Sequence, residues 1–399
     1  MSARSVTVLG ATGSVGLATL DLIRTAGAER FSVTALTANT NAVELARLAL
    51  ELRPRFVALG DPAAAPDLAA VLDGSGIEWG AGEDAVAHAA SLDADWTMAA
   101  IVGAAGLKPT LEAVRRGGAV AFANKEALVC AGQLFMQAAS DSGARLLPVD
   151  SEHNAIFQVF DESRRAGIRR IILTASGGPF LHASADEMKA AKPGDALAHP
   201  IWSMGAKISI DSATMMNKGL EIIEACHLFA LGHEKVDVLV HPESIVHGLV
   251  EYADGGLLAQ MGAPDMRTPI AHALGWPDRL ETSVARLDLA ALGKLTFFAP
   301  DPDRFPALRI AREAFDAGGC APAVLNAANE VAVQAFLNGQ IGFLDIASTV
   351  SDALDRATRE DTPQLDDFDA VLACDAIGRR LAGDAVARFS RAARLKDNG

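Results

Sequence analysis

The sequence predicts an α/β protein in three parts: an N-terminal parallel sheet wound with helices, a central α/β region carrying a lid, and a C-terminal α-helical bundle. Three observations predict it. Over the first third, short β-branched or apolar runs alternate with Ala/Leu-rich helical stretches, the rhythm of βαβ units. Beyond residue 150, strand-like runs follow one another closely. After residue 307, helical periodicity continues without strands.

Composition bounds what such a chain can do. With 399 residues and 50% hydrophobic content it can bury substantial cores and exceeds one ordinary domain. Its 35 basic against 50 acidic residues give a formal charge of −15, which argues against nucleic acid or an anionic membrane as partner. An anionic substrate would therefore have to be drawn in by a local basic or metal site. Cys130, Cys226, Cys320 and Cys374 are scattered without a CxxC, which predicts reduced thiols rather than a disulfide framework. With no apolar leader and no long uninterrupted apolar run, the expectation is a soluble cytoplasmic protein.

In chain order, strands are expected at residues 6–9, 31–36, 56–59, 96–101 and 119–122, with helices between. The first strand runs into Gly10-Ala-Thr-Gly13-Ser-Val-Gly16, which opens a helix over 15–25. Glycines there allow a tight turn and close backbone approach, and the helix N-terminus offers N–H groups to a pyrophosphate, so this part reads as a Rossmann-like dinucleotide domain. The spacing is GxxGxxG rather than GxGxxG, and a purely structural glycine turn is the alternative. The second strand ends in Asn39-Thr40-Asn41, without the acid that would accept a ribose 2′-hydroxyl, which favours NADP; no Lys or Arg stands there to grip a 2′-phosphate. Asn124-Lys125-Glu126 follows the strand at 119–122, where such a sheet presents its ligands.

Further strands are expected at 171–174, 236–240, 245–251 and 256–261. The first of these enters Ala175-Ser176-Gly177-Gly178, a turn suited to a phosphate or to nothing beyond a loop. His199-Pro-Ile-Trp202-Ser-Met204-Gly205 is neither strand-like nor helix-like and has the composition of a lid, although packing is the commoner fate of a tryptophan. Pro277, Pro300, Pro302 and Pro306 mark 277–306 as a linker. Helices follow at 307–317, 323–338, 344–359 and 376–395, with Asn326, Asn329 and Glu330 as polar positions of no evident chemistry. The implied division is 1–149, 150–276, linker 277–306 and 307–399.

The chemistry concentrates in Asp150-Ser151-Glu152 and in the run from Asp211 through Ser212, Asn217, Lys218 and Glu221 to Glu224. Together they gather hard anionic oxygens beside phosphate-sized donors, as a divalent ion holding a phosphorylated substrate requires. On an extended segment, Asp150 and Glu152 would share one face and Ser151 the other, unless the chain turns there. Asn217 and Glu221 share a face if their run is helical. Such donors suit Mg2+ or Mn2+, and no zinc-type Cys/His spacing occurs. A solvated strand end and a capped helix are the alternative.

The glycine turn, Ala123-Asn-Lys-Glu126, Pro148-Val-Asp-Ser-Glu-His153, the run from His199 to Glu224, and Pro264-Asp-Met-Arg-Thr-Pro-Ile270 together resemble the 1-deoxy-D-xylulose 5-phosphate reductoisomerase family, in order along the whole chain. The resemblance implies conversion of 1-deoxy-D-xylulose 5-phosphate with NADPH into 2-C-methyl-D-erythritol 4-phosphate, in the non-mevalonate isoprenoid pathway, by a homodimer. It implies Asp150, Glu152 and Glu221 as ligands of Mg2+ or Mn2+. Ser176, Ser212, Asn217 and Lys218 match phosphate and hydroxyl contacts, and Ser151 a substrate contact. His199 and Trp202 match residues that close over the substrate. Lys125 and Glu224, with Glu152 and His199, match residues beside the reacting carbons. Thr12, Gly13, Ser14 and Val15 match the pyrophosphate turn, and the cofactor set extends to Asn39, Thr40, Asn41, Asn124, Lys125, Glu126 and Gly205. This chain departs from the family pattern at Thr40, where Lys or Arg is common, and in the lid at Ile201 and Ala206. Rival readings are a different metal-assisted NADP dehydrogenase and a non-enzymatic nucleotide sensor.

Overall fold

The computed structural model describes residues 3–202 and 204–397, so residue 203 of the expected lid lies outside the described residues. The chain forms two compact units, each assembled from separated segments. The first takes in residues 1–127, 135–157 and 265–286. The second takes in 128–134, 158–264 and 287–399.

In the first unit, seven parallel strands lie in the order β4-β3-β2-β1-β5-β6-β7. They are β1 (Arg4–Leu9), β2 (Phe31–Ala38), β3 (Phe56–Leu59), β4 (Glu78–Ala81), β5 (Trp96–Ala99), β6 (Ala119–Phe122) and β7 (Arg145–Pro148). The strands expected at 56–59 and 119–122 match residue for residue, whereas β4 and β7 are additions. Both are edge strands of low β-propensity, Glu-Trp-Gly-Ala and Arg-Leu-Leu-Pro, whose pairing is decided by their neighbours. Helices α1 (Ser14–Ala26), α2 (Ala42–Leu52), α3 (Ala65–Leu72), α4 (Glu83–Ser91), α5 (Leu107–Arg116), α6 (Lys125–Ser142) and α7 (Ser151–Val159) alternate with the strands. Val6, Val8, Leu36, Val57 and Leu20 pack in one core, which the returning helix α12 (Arg267–Gly275) completes with Ile270 and Leu274. Buried Trp96 donates its indole N–H to Ala273 O at 3.0 Å, tying β5 to that helix.

The second unit holds a four-stranded sheet in the order β11-β10-β8-β9. Its strands are β8 (Ile168–Ala175), β9 (Val236–Val240), β10 (Val246–Tyr252) and β11 (Leu257–Met261). β8 and β9 are parallel, and β10 runs antiparallel to both β8 and β11. Short helices α8 (Ala185–Ala190) and α9 (Pro193–Leu197) precede α10 (Ala206–Ala213) and α11 (Met216–Leu228), and α13 (Leu289–Leu292) is a single turn. The C-terminal helices are α14 (Ala307–Ala317), α15 (Ala321–Leu337), α16 (Asp345–Ala357) and α17 (Phe368–Asp397). Helix α11 is buried nearly all round because α14 covers it: a Cβ on Gly219 would lie 2.9 Å from Ala311 Cβ. The expectation of four separate thiols is corrected, since Cys320 and Cys374 are joined as a disulfide with Cα atoms 5.4 Å apart. The fold brings together two cysteines 54 positions apart that no local pattern links.

Candidate active site

Strand order reverses between β1 and β5, the point where an open parallel sheet leaves a crevice for a ligand. The glycine turn stands there. Gly10 N donates to Thr37 Oγ1 at 2.9 Å and Ala11 N to Thr37 O at 2.7 Å, which pins the turn against β2. A Cβ on Gly16 would sit 2.2 Å from Gly10 O, so only glycine lets α1 press onto the turn. Helix α1 has no side-chain cap, and Gly13 and Ser14 at its start are exposed between half-buried Thr12 and Val15, an arrangement fit for an anion. Asn39, Thr40 and Asn41 are exposed at the end of β2, and Asn41 caps α2 by accepting from Glu44 N at 3.2 Å. Asn124 is buried and reaches inward, donating to Ile101 O at 2.5 Å and accepting from Ala127 N at 3.1 Å. Lys125 and Glu126 beside it are buried as well.

At the far edge of this sheet, β7 delivers Asp150. The chain does not remain extended: Val149 N still donates to Phe122 O at 2.9 Å, but α7 begins at Ser151. The chain turns here, so the alternation that an extended segment would give Asp150, Ser151 and Glu152 does not arise. Asp150 O accepts from Asn154 N at 2.8 Å, and Glu152 stands in the first helical turn. Ser151 Oγ donates to Glu152 Oε2 at 2.6 Å, while Asp150 forms an ion pair with the Lys125 ammonium. Asp150 and buried His153 offer ligand atoms within 4.8 Å of each other. Sequence reasoning quoted His153 within its motif without giving it a role, because one histidine on a helix carries no spacing signal. Asn154 secures the segment by donating to Pro148 O at 2.9 Å and approaching His272 Nδ1 at 3.1 Å. Burial, then the charge of Arg279, push His272 down to about 4, so its ring is neutral and its Nδ1 can accept that amide.

In the second unit the Asp211–Glu224 run is helical but broken in two. Met215, in the left-handed conformation at φ 62°, separates α10 from α11. The shared helix face then appears as expected: Asn217 Nδ2 and Lys218 Nζ each donate to one oxygen of the Glu221 carboxylate. Lys218, Glu221 and Glu224 expose only 3%, 1% and 1% of their surface, so these are interior groups rather than solvated acids. A buried carboxylate needs such a counter-charge, and Lys218 supplies it. Ser212 closes α10, ahead of the turn into α11.

Ser176 and the lid residues also lie in this unit. His199 Nδ1 accepts from Trp202 N at 2.9 Å and Ile201 N at 3.2 Å. Its proton therefore sits on Nε2, which donates to Ser176 Oγ at 2.9 Å. Burial lowers the His199 pKa from its ordinary 6.5, in keeping with that neutral tautomer. The Trp202 indole lies 6.4 Å from the buried His247 ring, a neighbour that sequence reasoning did not single out. Gly205 caps α10 with extended backbone.

Comparison with known proteins bears on this geometry. The family models of 1-deoxy-D-xylulose 5-phosphate reductoisomerase, its C-terminal domain, and the DXP reductoisomerase C-terminal domain match residues 6–132, 146–229 and 261–381. A 1-deoxy-D-xylulose 5-phosphate reductoisomerase of Rhodospirillum centenum is 60% identical over 386 residues, covering 96% of this chain and 94% of that protein. The solved structure of the 1-deoxy-D-xylulose 5-phosphate reductoisomerase from Zymomonas mobilis, in complex with NADPH, is similar with a TM-score of 0.91 at 52% identity, over 97% of this chain and 99% of that one. A DOX-P reductoisomerase in complex with NADPH, fosmidomycin and magnesium gives a TM-score of 0.91 at 44% identity, over 96% of this chain and 98% of that one. The chain belongs to the 1-deoxy-D-xylulose 5-phosphate reductoisomerase family.

Proposed function

We propose that this protein isomerises and reduces 1-deoxy-D-xylulose 5-phosphate to 2-C-methyl-D-erythritol 4-phosphate, using NADPH and Mg2+ or Mn2+, in the non-mevalonate isoprenoid pathway. What carries the reading is the start of α11, where Asn217, Lys218 and the interior carboxylate of Glu221 stand together, in a chain of this family. Residues 1–149 bind NADPH, 150–276 carry metal and substrate, and 277–306 lead to the helices of 307–399. The glycine cradle suits a dinucleotide, because a side chain at Gly16 would fill it. The hard oxygens of Asp150, Glu152 and Glu221 suit a Mg2+-type ion, with Lys125 and Lys218 balancing two of these acids.

When bound, the ion polarises the substrate's ketone and NADPH supplies a hydride. The chain's own residues do the rest. Ser176, Ser212, Asn217 and Lys218 hold the phosphate, a remote anchor that orients the carbons to be rearranged. Ser151 contacts the substrate beside the metal ligands, and Lys125 and Glu224 stand by the reacting carbons. Neutral His199 donates from Nε2 to Ser176 Oγ, so the lid residue and the phosphate turn are linked when the lid lies down. His199 and Trp202 then exclude water from the reactive fragments.

We also assign the active form as a homodimer located in the cytoplasm. Edge strand β11 supports the dimer, since Leu257 and Leu258 are each 52% exposed beside unpaired backbone on one side of the sheet. No helix among the described residues is long and apolar enough to cross a membrane. The test of the activity is NADPH oxidation by the purified protein given 1-deoxy-D-xylulose 5-phosphate and Mg2+, with the product identified by mass spectrometry. Oxidation yielding a compound other than 2-C-methyl-D-erythritol 4-phosphate would favour another dehydrogenase, and none at all would favour a sensor.

A further inference from the structure

Asp211 opens the most distinctive run of the sequence, yet phosphate and metal binding leave it without a role. It is 1% exposed. One carboxylate oxygen faces Lys207 Nζ at 2.8 Å, on its own helix. The other accepts from Asn329 Nδ2 at 2.7 Å, from α15 in the C-terminal helices. A carboxylate can only accept here, which settles the amide's orientation and turns Asn329 Oδ1 to a buried position where it finds no hydrogen-bond partner among the described residues. A buried amide left half satisfied is costly, so Asn329 is not explained by packing alone.

Helix α15 is itself held. Asn326 Nδ2 donates to Glu330 Oε1 at 3.1 Å, and Arg379 of α17 donates to Glu330 Oε2 at 2.6 Å. From Asp211 the restraint passes directly into the binding turn. The Thr214 hydroxyl proton is shared between Ile210 O at 3.1 Å and Asp211 O at 3.2 Å, and the same hydroxyl accepts from Met216 N at 3.3 Å, across left-handed Met215. Ser212 stands in the last turn of α10 just before it, and Asn217 and Lys218 follow just after. Lys207 faces Asp211 from the same helix, whereas Asn329 reaches it from α15.

We propose that Asn329 is a positioning residue for the substrate's phosphate: through Asp211 it holds Ser212, Asn217 and Lys218 in the arrangement that grips the anion. This gives the C-terminal helices a part in catalysis and rests on the reading of those three residues as phosphate contacts.

Steady-state kinetics of the full-length enzyme test it. Asn329→Ala is expected to raise KM for 1-deoxy-D-xylulose 5-phosphate about tenfold and to weaken inhibition by inorganic phosphate alike, with NADPH affinity unchanged. Asn329→Asp, which sets two carboxylates face to face, is expected to do worse. The reciprocal swap Asp211→Asn with Asn329→Asp restores a donor opposite an acceptor and should return KM to within about threefold of the natural enzyme. If Asn329→Ala does not fold, Asn329→Ser and the swap are read in the same way. A lowered melting temperature with KM and phosphate inhibition unchanged would overturn the proposal and leave Asn329 a structural residue. Ser212→Ala separates this from the reading beneath it. If Ser212→Ala leaves both constants unaltered, the phosphate assignment has failed; if it raises them and Asn329→Ala does not, only the positioning role has failed.

Discussion

Thr40 shows what a single side chain decides. It stands exposed at the end of β2, with no acid at that tip to take up a ribose hydroxyl and no base to meet a phosphate. NADPH is therefore expected to bind more tightly than NADH by a modest margin. Thr40→Arg should tighten NADPH by about 1 kcal/mol through a charge-assisted contact, with NADH little changed. Fluorescence titration checks this, and equal affinity of the natural protein for both cofactors would contradict it. At the same scale, the interior position of Glu221 and Glu224 excludes a cluster of solvated surface acids. Their spacing at 221 and 224 could not show this, because a helix of that pattern is as easily solvated as buried.

Elements explain both what the sequence discloses and what it withholds. The parallel strands were legible because the short, mostly apolar runs at residues 6–9, 56–59 and 119–122 fit strands buried on both faces and alternate with helical stretches. Strand β4 was not, since Glu78 and Trp79 are exposed and owe their pairing to β3. The turn from β7 into α7 is not legible locally, because nothing in Asp150-Ser151-Glu152 announces that Asn154 N will close a helical turn on Asp150 O. Nor does the sequence show that residues 265–286 return to the first unit, a long-range packing choice. The lid is the element with a pH signature. The folded-state pKa of His199 lies below its ordinary 6.5, so its stabilising hydrogen bonds are fully present above 6.5 and are lost as pH falls from there through the lower folded value. Proteolysis of the segment around residues 190–206 should therefore quicken on acidification, and slow when substrate and NADPH are added at neutral pH. Cleavage indifferent to both would count against a functional lid.

For the whole molecule, association is the first question. Leu257 and Leu258 on β11 are exposed apolar residues expected to be covered in the proposed homodimer. Charging both, as Leu257→Glu with Leu258→Glu, should shift the sedimentation coefficient from dimer to monomer while the far-ultraviolet circular dichroism stays native. A variant that still sediments as a dimer would place the interface elsewhere.

The metal-dependent turnover of three carboxylate variants tests the central claim most directly. Asp150→Asn, Glu152→Gln and Glu221→Gln are each expected to lose at least about a hundredfold in kcat at limiting metal, the scale on which transition-state charge stabilisation disappears. NADPH affinity should stay at the natural value, and excess Mn2+ should partly restore Glu221→Gln. Near-normal turnover in any two of the three at limiting metal would contradict the account and return these acids to a structural role.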